Sequence, residues 1–405
     1  MTRTVPALSR RTTMAVAAGA LLAGAAPEAA AAAHGTAAPA AGHDALQADV
    51  DAVRATGATG VVAEVQTAHG RATARAGVAD LGSDRPVPRD AYYRIGSDTK
   101  TFTAVVVLQL VGEGKLALTD TVERRLPGAI RGNGNDGGRI TVANLLRQTS
   151  GLNDYLAVSE GEFTPEAYRK GRFRTHTPQE QLAAALTKPP QWLPRRDDPA
   201  GERRWGYANT NYVVAGLIIE AVTGRPWAQE IHERVIEPLG LRHTLIPGGS
   251  AYVPQPTATA YTQFPGSARL TDTTIAAVSG ADGGLISTAR DHGVFLRALM
   301  GGRLLRPAQL AAMKRTVPAE DWIRAKGVRY GLGIAWRPVA GTDTGIWFHG
   351  GTHLGVVSEC GVTGDGARAV TSATFTLPTA EAQADAQAAA TLRLVNNALR
   401  GGRDR

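Results

Sequence analysis

Ser97 and Lys100, in the stretch RIGSDTKTFTAVVVLQLVGEGK (residues 94–115), stand three apart where an apolar helix is expected to begin. Residues at that spacing share a helix face, so a hydroxyl and an amine can meet at one point. Serine is a poor nucleophile until something takes its proton. A lysine can take it only if desolvation or a nearby positive potential lowers its pKa. The first turn of a buried helix offers both, and its partial positive charge also suits a developing oxyanion. Ser97 is the only serine in the chain with lysine at the third position beyond it. The plain alternative is a serine cap with a solvated lysine.

Two further groupings carry functional side chains. In WGYANTNYVVAGLIIEAVTG, Tyr207 and Asn209 precede an apolar helix and form the only Y-x-N of the chain. A phenol could move a proton there and a carboxamide could hold a substrate carbonyl or amide. In IWFHGGTHLG, His349 is expected at a strand end, with Gly350 and Gly351 allowing close approach to the backbone. The amide of Thr352 could supply an oxyanion donor. Each grouping alone has an ordinary structural reading, as packed aromatics or a strand-end turn.

The elements that must position these residues follow from periodicity. Asp44 is a plausible helix cap, with Leu46, Val50 and Val53 at helical spacing behind it. TGVVAEVQTAHGRATARAGVAD then reads as a hairpin turning at AHGR. Helical pattern runs through 100–112, 142–148, 179–187, 211–223, 228–236 and 289–300. Late in the chain YGLGIAW, GIWFHG, LGVVSECGV and ARAVTSATFTL read as short strands, and an Ala-rich helix over 379–399 follows. The economical fold is α+β. An antiparallel sheet is built from N- and C-terminal segments and covered by terminal helices, with a mostly helical lobe (roughly 100–290) inserted between its parts.

Length and composition fit an ordinary globular protein: 405 residues, 43% hydrophobic and 20% charged. The formal charge of +8 is diffuse, without a basic run interleaved with aromatics, so no nucleic-acid role is expected. Residues 1–33 carry Arg10 and Arg11, a short apolar run, Pro27 and an alanine tract ending near Ala33. That is the layout of a cleaved export signal of the twin-arginine type. A flexible linker over 34–43 and one domain over 44–405 are expected to follow, in a secreted protein with no membrane span. The single Cys360 lies in a strand-like stretch and reads as a packed thiol. RGNGNDGG (131–138) lacks phosphate-cradling spacing, and HERVI (232–236) lacks the second histidine of a zinc helix. No metal or organic cofactor is expected, and no G-x-S-x-G elbow is present.

The order S-x-x-K, Y-x-N, H-x-G resembles the serine penicillin-recognising enzymes, and is most similar to class C β-lactamases and secreted D-alanyl-D-alanine carboxypeptidases of the S12 peptidase family. The resemblance spans nearly everything from residue 44 onward, including LLRQTSGL (145–152), VIEPLGLRHT (235–244) and DGGLISTARDHGVFLRALM (282–300). It implies a β-lactamase/transpeptidase-like fold and acylation of Ser97. Lys100 would take the proton, Tyr207 would share in proton shuttling, and His349 would replace the lysine of the usual K-T-G strand. Asn209 would contact the substrate's acyl side, and the amides of Ser97 and Thr352 would form the oxyanion hole. The resemblance leaves the general base open between Lys100 and Tyr207. It points to a peptidoglycan D-alanyl-D-alanine carboxypeptidase that penicillins acylate, acting as a monomer on a small peptide or β-lactam. A related esterase or amidase, or a non-turnover penicillin-binding sensor, is the alternative. Two departures bear on substrate. Carboxypeptidases of this group generally carry H-T-G, whose threonine hydroxyl binds the terminal carboxylate with help from an arginine on the preceding strand. Here Gly350 stands in the middle position and Ala335 where the arginine is expected, with Arg337 two residues on.

Overall fold

The structure is a computed structural model that describes residues 38–158, 163–198, 201–278, 280–323, 326–339 and 345–400. The expected signal over 1–33 lies outside the described residues. The first element, α1 (Ala38–Arg54), begins inside the segment expected as linker. Alanine is the strongest helix former and Pro39 falls in the first turn, where its missing N–H costs nothing.

A hairpin follows, β1 (Gly60–Thr67) and β2 (Gly70–Gly77), paired antiparallel from Gly60↔Gly77 to Thr67↔Gly70. The lobe then opens with α2 (Thr99–Gly112) and contains α3 (Thr210–Thr223); α4 (Ala289–Met300) brings the chain back to the sheet. The sheet resumes as β3 (Val317–Pro318), β4 (Arg329–Tyr330), β5 (Ala335–Pro338), β6 (Gly345–Phe348), β7 (Gly350–His353), β8 (Val356–Thr363) and β9 (Ala369–Thr374). Helix α5 (Glu381–Arg400) ends the described chain. The nine strands run in the order β2-β1-β9-β8-β6-β5-β4-β3, with β7 also pairing on β8. All of these pairings are antiparallel. The N-terminal hairpin therefore joins the C-terminal strands through β1 and β9, in register from Val61↔Thr374 to Gln66↔Ala369.

Alternation along β1 divides the core. Val61, Ala63 and Val65 pack with Leu46, Val50 and Val53 of α1 and with Leu394 and Val395 of α5. Val62 faces the opposite way, into the larger core shared with α2 and α4. Burying each such aliphatic side chain contributes roughly 1.5–3 kcal/mol. Helix α2 is buried along nearly its whole length, from Thr99 to Leu110. That is why its sequence lacks an amphipathic stripe. Stacked Phe102 and Phe295, with centroids 3.6 Å apart, tie it to α4. So α2 is held rigidly, with its N-terminus aimed at the edge of the sheet. Among the described residues no helix is long and apolar enough to cross a membrane.

Candidate active site

Ser97 occupies a short 3-10 turn, Gly96–Asp98, that feeds directly into α2. The turn lies against β7, and two glycines make that approach feasible. Gly96 has φ +52°, and a Cβ there would stand 2.9 Å from the amide nitrogen of Thr352. A Cβ on Gly351 would stand 1.8 Å from the carbonyl oxygen of Ile95. Only bare backbones fit at both points. The Ser97 turn and the Thr352 amide are thereby brought together, the two backbone groups that the resemblance pairs.

Lys100 has no solvent exposure and sits beneath the serine. Its Nζ lies 2.9 Å from Ser97 Oγ, 2.7 Å from Asn209 Oδ1 and 2.8 Å from the carbonyl oxygen of Asp282. The amide and carbonyl oxygens can only accept, so they take two N–H bonds. The remaining direction of Nζ faces the hydroxyl. Burial pulls the lysine down to about 8, against the opposing pull of Asp282, Asp154 and Asp98. A neutral amine is therefore accessible near neutral pH, with its lone pair aimed at Ser97 Oγ.

Asn209 ends the loop before α3. Its Oδ1 accepts from Lys100 while its Nδ2 donates to Asp154 Oδ2 at 3.0 Å. Both ends of the carboxamide are thus engaged in holding the lysine. Tyr207 places its ring centroid 5.0 Å from Lys100 Nζ. Burial pushes its phenol well above the ordinary value, and a hydrogen bond with Ser97 works the other way. It is therefore a protonated phenol beside the nucleophile.

His349 sits where β6 gives way to β7. Its Nδ1 donates to the carbonyl oxygen of Gly350 at 2.7 Å, which leaves Nε2 to accept from the Tyr330 hydroxyl at 2.9 Å. Burial, with Lys100 nearby, lowers its pKa to about 3, so the ring is neutral. A neutral ring here contributes dipoles and shape, not the second cation of a K-T-G strand. Trp322 completes this wall, stacked on Tyr207 at 5.6 Å and edge-on to His349 at 5.2 Å. Arg337 points along the same sheet face but toward α5, donating to Asn396 Oδ1 at 2.7 Å with its guanidinium 5.4 Å over Phe348.

Several site residues carried no signal in the sequence. Asp154 and Asp282 lie in loops, where an aspartate ordinarily reads as a turn former or solvated charge. Only the fold brings them under Lys100. Behind the nucleophile, atoms of Asp98, His292 and Cys360 lie within 4.8 Å of one another, the one such grouping among the described residues. Ser358 Oγ donates to Asp98 Oδ2 at 2.7 Å, and the buried Cys360 thiol contacts Oδ1 at 3.5 Å. Burial raises both the carboxyl, to about 7, and the thiol. Protons thus hold this cluster together, and it backs the Ser97 turn as a hydrogen-bonded wall.

The Beta-lactamase family model matches residues 43–393. The chain belongs to that family. It is a β-lactamase-fold serine hydrolase, similar to a D-stereospecific amidohydrolase from Streptomyces at 37% identity and TM-score 0.74, covering 82% of this chain and 94% of the other. The D-amino acid amidase of Ochrobactrum anthropi SV3, solved with L-phenylalanine amide, is 25% identical at TM-score 0.76, covering 90% and 100% of the two chains. Among curated relatives, esterase EstB of Burkholderia gladioli is 32% identical over 47% of this chain and 46% of its own length. Penicillin-binding protein 4 of Amycolatopsis lactamdurans is 28% identical over 42% and 40%. The chain spans less than half the length of these two curated relatives.

Proposed function

We propose that the chain hydrolyses D-amino-acid amides and esters through an acyl-enzyme on Ser97. The observation that carries this is the environment of Lys100 Nζ, whose two carbonyl-type acceptors leave its lone pair facing Ser97 Oγ. Lys100 takes the serine proton as Oγ attacks the substrate carbonyl. The negative charge that forms on the carbonyl oxygen faces the amides of Ser97 and Thr352. Tyr207, a phenol that stays protonated, delivers a proton to the departing amine or alcohol and is refilled from Lys100. Water then repeats the sequence on the ester, with the proton returning to Ser97. Asn209 and Asp154 keep Nζ in place.

The D-amino-acid preference and the amide or ester substrate follow the named activities of the Streptomyces and Ochrobactrum enzymes and of esterase EstB. A D-alanyl-D-alanine carboxypeptidase, the first expectation from the motifs, has less support in the geometry. Gly350 offers no hydroxyl and Ala335 stands where the carboxylate-binding arginine is expected, while Arg337 donates from Nη1 to Asn396. Export through the twin-arginine signal over 1–33 remains part of the proposal and rests on Arg10 and Arg11.

Purified protein incubated with D-phenylalanine amide should release ammonia, and Ser97→Ala should lose that turnover while keeping its melting temperature. A penicillin should add its mass to Ser97, and the time course separates turnover from a sensor. Adduct without product release would favour the sensor, and full turnover by Ser97→Ala would end the assignment.

A further inference from the structure

Gly350 and Glu359 are cross-strand partners on β7 and β8. A Cβ on Gly350 would lie 2.9 Å from Glu359 Oε1 and 3.2 Å from Oε2. The glutamate therefore fills the space that a side chain at position 350 would occupy. Both residues are half-buried, and among the described residues the Glu359 carboxylate has no hydrogen-bond or ion-pair partner. The cation on its face, Arg337, donates to Asn396 Oδ1 and acts on the Glu359 carboxyl through space without an ion pair. Position 350 follows His349 and precedes the Gly351–Thr352 backbone that closes on the Ser97 turn. It is also the position at which the carboxypeptidase pattern holds the carboxylate of the leaving group. An acid at that place, with no ion pair of its own, makes the subsite negative whenever it ionises, although Arg337 acts on it through space.

We propose that Glu359 sets leaving-group specificity, admitting neutral leaving groups throughout and excluding those that carry a carboxylate whenever its own carboxyl is ionised. This rests on the acyl-hydrolase reading of Ser97 and names a selection within it. The exclusion is also a function of pH. Burial and the like charge of Asp98 raise Glu359 to about 8, with Arg337 opposing. The other charged group on this side is Arg400 of α5, which lies beside Arg337. Below about pH 8 the carboxyl is mostly protonated and tolerates an acidic leaving group. Above it, two carboxylates repel at close range in a partly desolvated setting.

The test measures release of D-phenylalanine from D-phenylalanyl-D-alanine and from its C-terminal methylamide, so that one scissile bond is read with two leaving-group charges. In the wild type the methylamide-to-acid ratio of kcat/KM should rise at least tenfold between pH 6.5 and 9.5. Lys100 titrates in the same window but acts on both substrates alike, so it cancels in the ratio. Glu359→Gln should flatten the ratio to within about twofold across that range, and Glu359→Lys should shift preference to the free acid. A flat wild-type ratio overturns the proposal without any variant. So does a Glu359→Gln enzyme that keeps the wild-type pH dependence, or failure to cleave either dipeptide by a protein that does hydrolyse D-phenylalanine amide. If D-phenylalanine amide is not hydrolysed, the acyl-hydrolase reading itself falls, and this inference with it.

Discussion

Lysine and tyrosine compete for the role of base wherever they flank a serine, and here their environments separate them. Lys100 is pulled down to about 8 by burial, while Tyr207 is pushed upward by the same force. Desolvation disfavours the charged form in both cases, so the amine is available unprotonated to accept a proton while the phenol keeps one to give. The acylation rate should therefore rise with pH and level off above about 8, as Nζ loses its proton. Stopped-flow measurement of acylation by a chromogenic ester checks this. A rate that is flat from pH 6 to 10 would rule out Lys100 as the titrating base. Lys100→Arg should remain at least a thousandfold slow at every pH, because a guanidinium stays protonated and has no lone pair to offer. Ser97, Lys100, Tyr207 and His349 stood out in the sequence as three short motifs in one order, and the roles proposed for them came from the family resemblance that this order carries. Glu359 did not stand out, since a lone glutamate in a strand-like run reads as a solvent-facing residue until its cross-strand partner is known to be a glycine.

Elements place these side chains through contacts that admit no substituent. The sequence places His349 at a strand end and no separate strand directly after it; in the fold Gly350–His353 forms β7, which pairs with β8 from Gly350↔Glu359 to His353↔Val356 although two glycines give it little β-propensity. Pairing to a long neighbour supplies what local propensity lacks. The longer elements were legible for the opposite reason. The helix read over 211–223 spans Thr210–Thr223, and that read over 289–300 spans Ala289–Met300, each with an apolar pattern sustained for three turns or more. The dependence of the site on β7 can be measured. Gly351→Ala places a methyl against the Ile95 carbonyl, where the obstacle is backbone and cannot swing aside. The strand must retreat from the Ser97 turn, widening the gap between the Ser97 and Thr352 amides. Losing one oxyanion donor in this way costs roughly 10²–10³ in kcat. Acylation by a fluorophosphonate and thermal unfolding should both deteriorate in the variant. Wild-type kcat in Gly351→Ala would show that the Thr352 amide takes no part in the reaction.

At the scale of the molecule, a sheet closed from both chain ends encloses ionisable groups that prefer to be neutral. This architecture was legible because the N-terminal hairpin and C-terminal strands bracket a helical block. The protonation of the interior was not legible, since it depends on which loops fold over which strands. His292 on α4 and His349 at the start of β7 are each about 1% exposed and lowered to about 3, with burial as the main cause. Unfolded histidine titrates near 6.5. Between about pH 6.5 and 3 the unfolded chain binds protons that the native state refuses. Each buried ring therefore removes stability as pH falls through that window, at about 1.4 kcal/mol per pH unit. Asp98 and Glu359 act in the opposite sense. Their folded pKa values of about 7 and about 8 exceed those of the unfolded chain, so their contribution is present at low pH and is lost as pH rises through those values. His292 provides the clean test, because it lies outside the reacting groups and its Nδ1 has no partner. Urea unfolding at pH 4, 5 and 6 should show His292→Leu losing less stability toward acid than the wild type, by roughly 1.4 kcal/mol per pH unit. Parallel slopes in the two proteins would mean that the native state already protonates this ring, and that water reaches the wall behind the nucleophile.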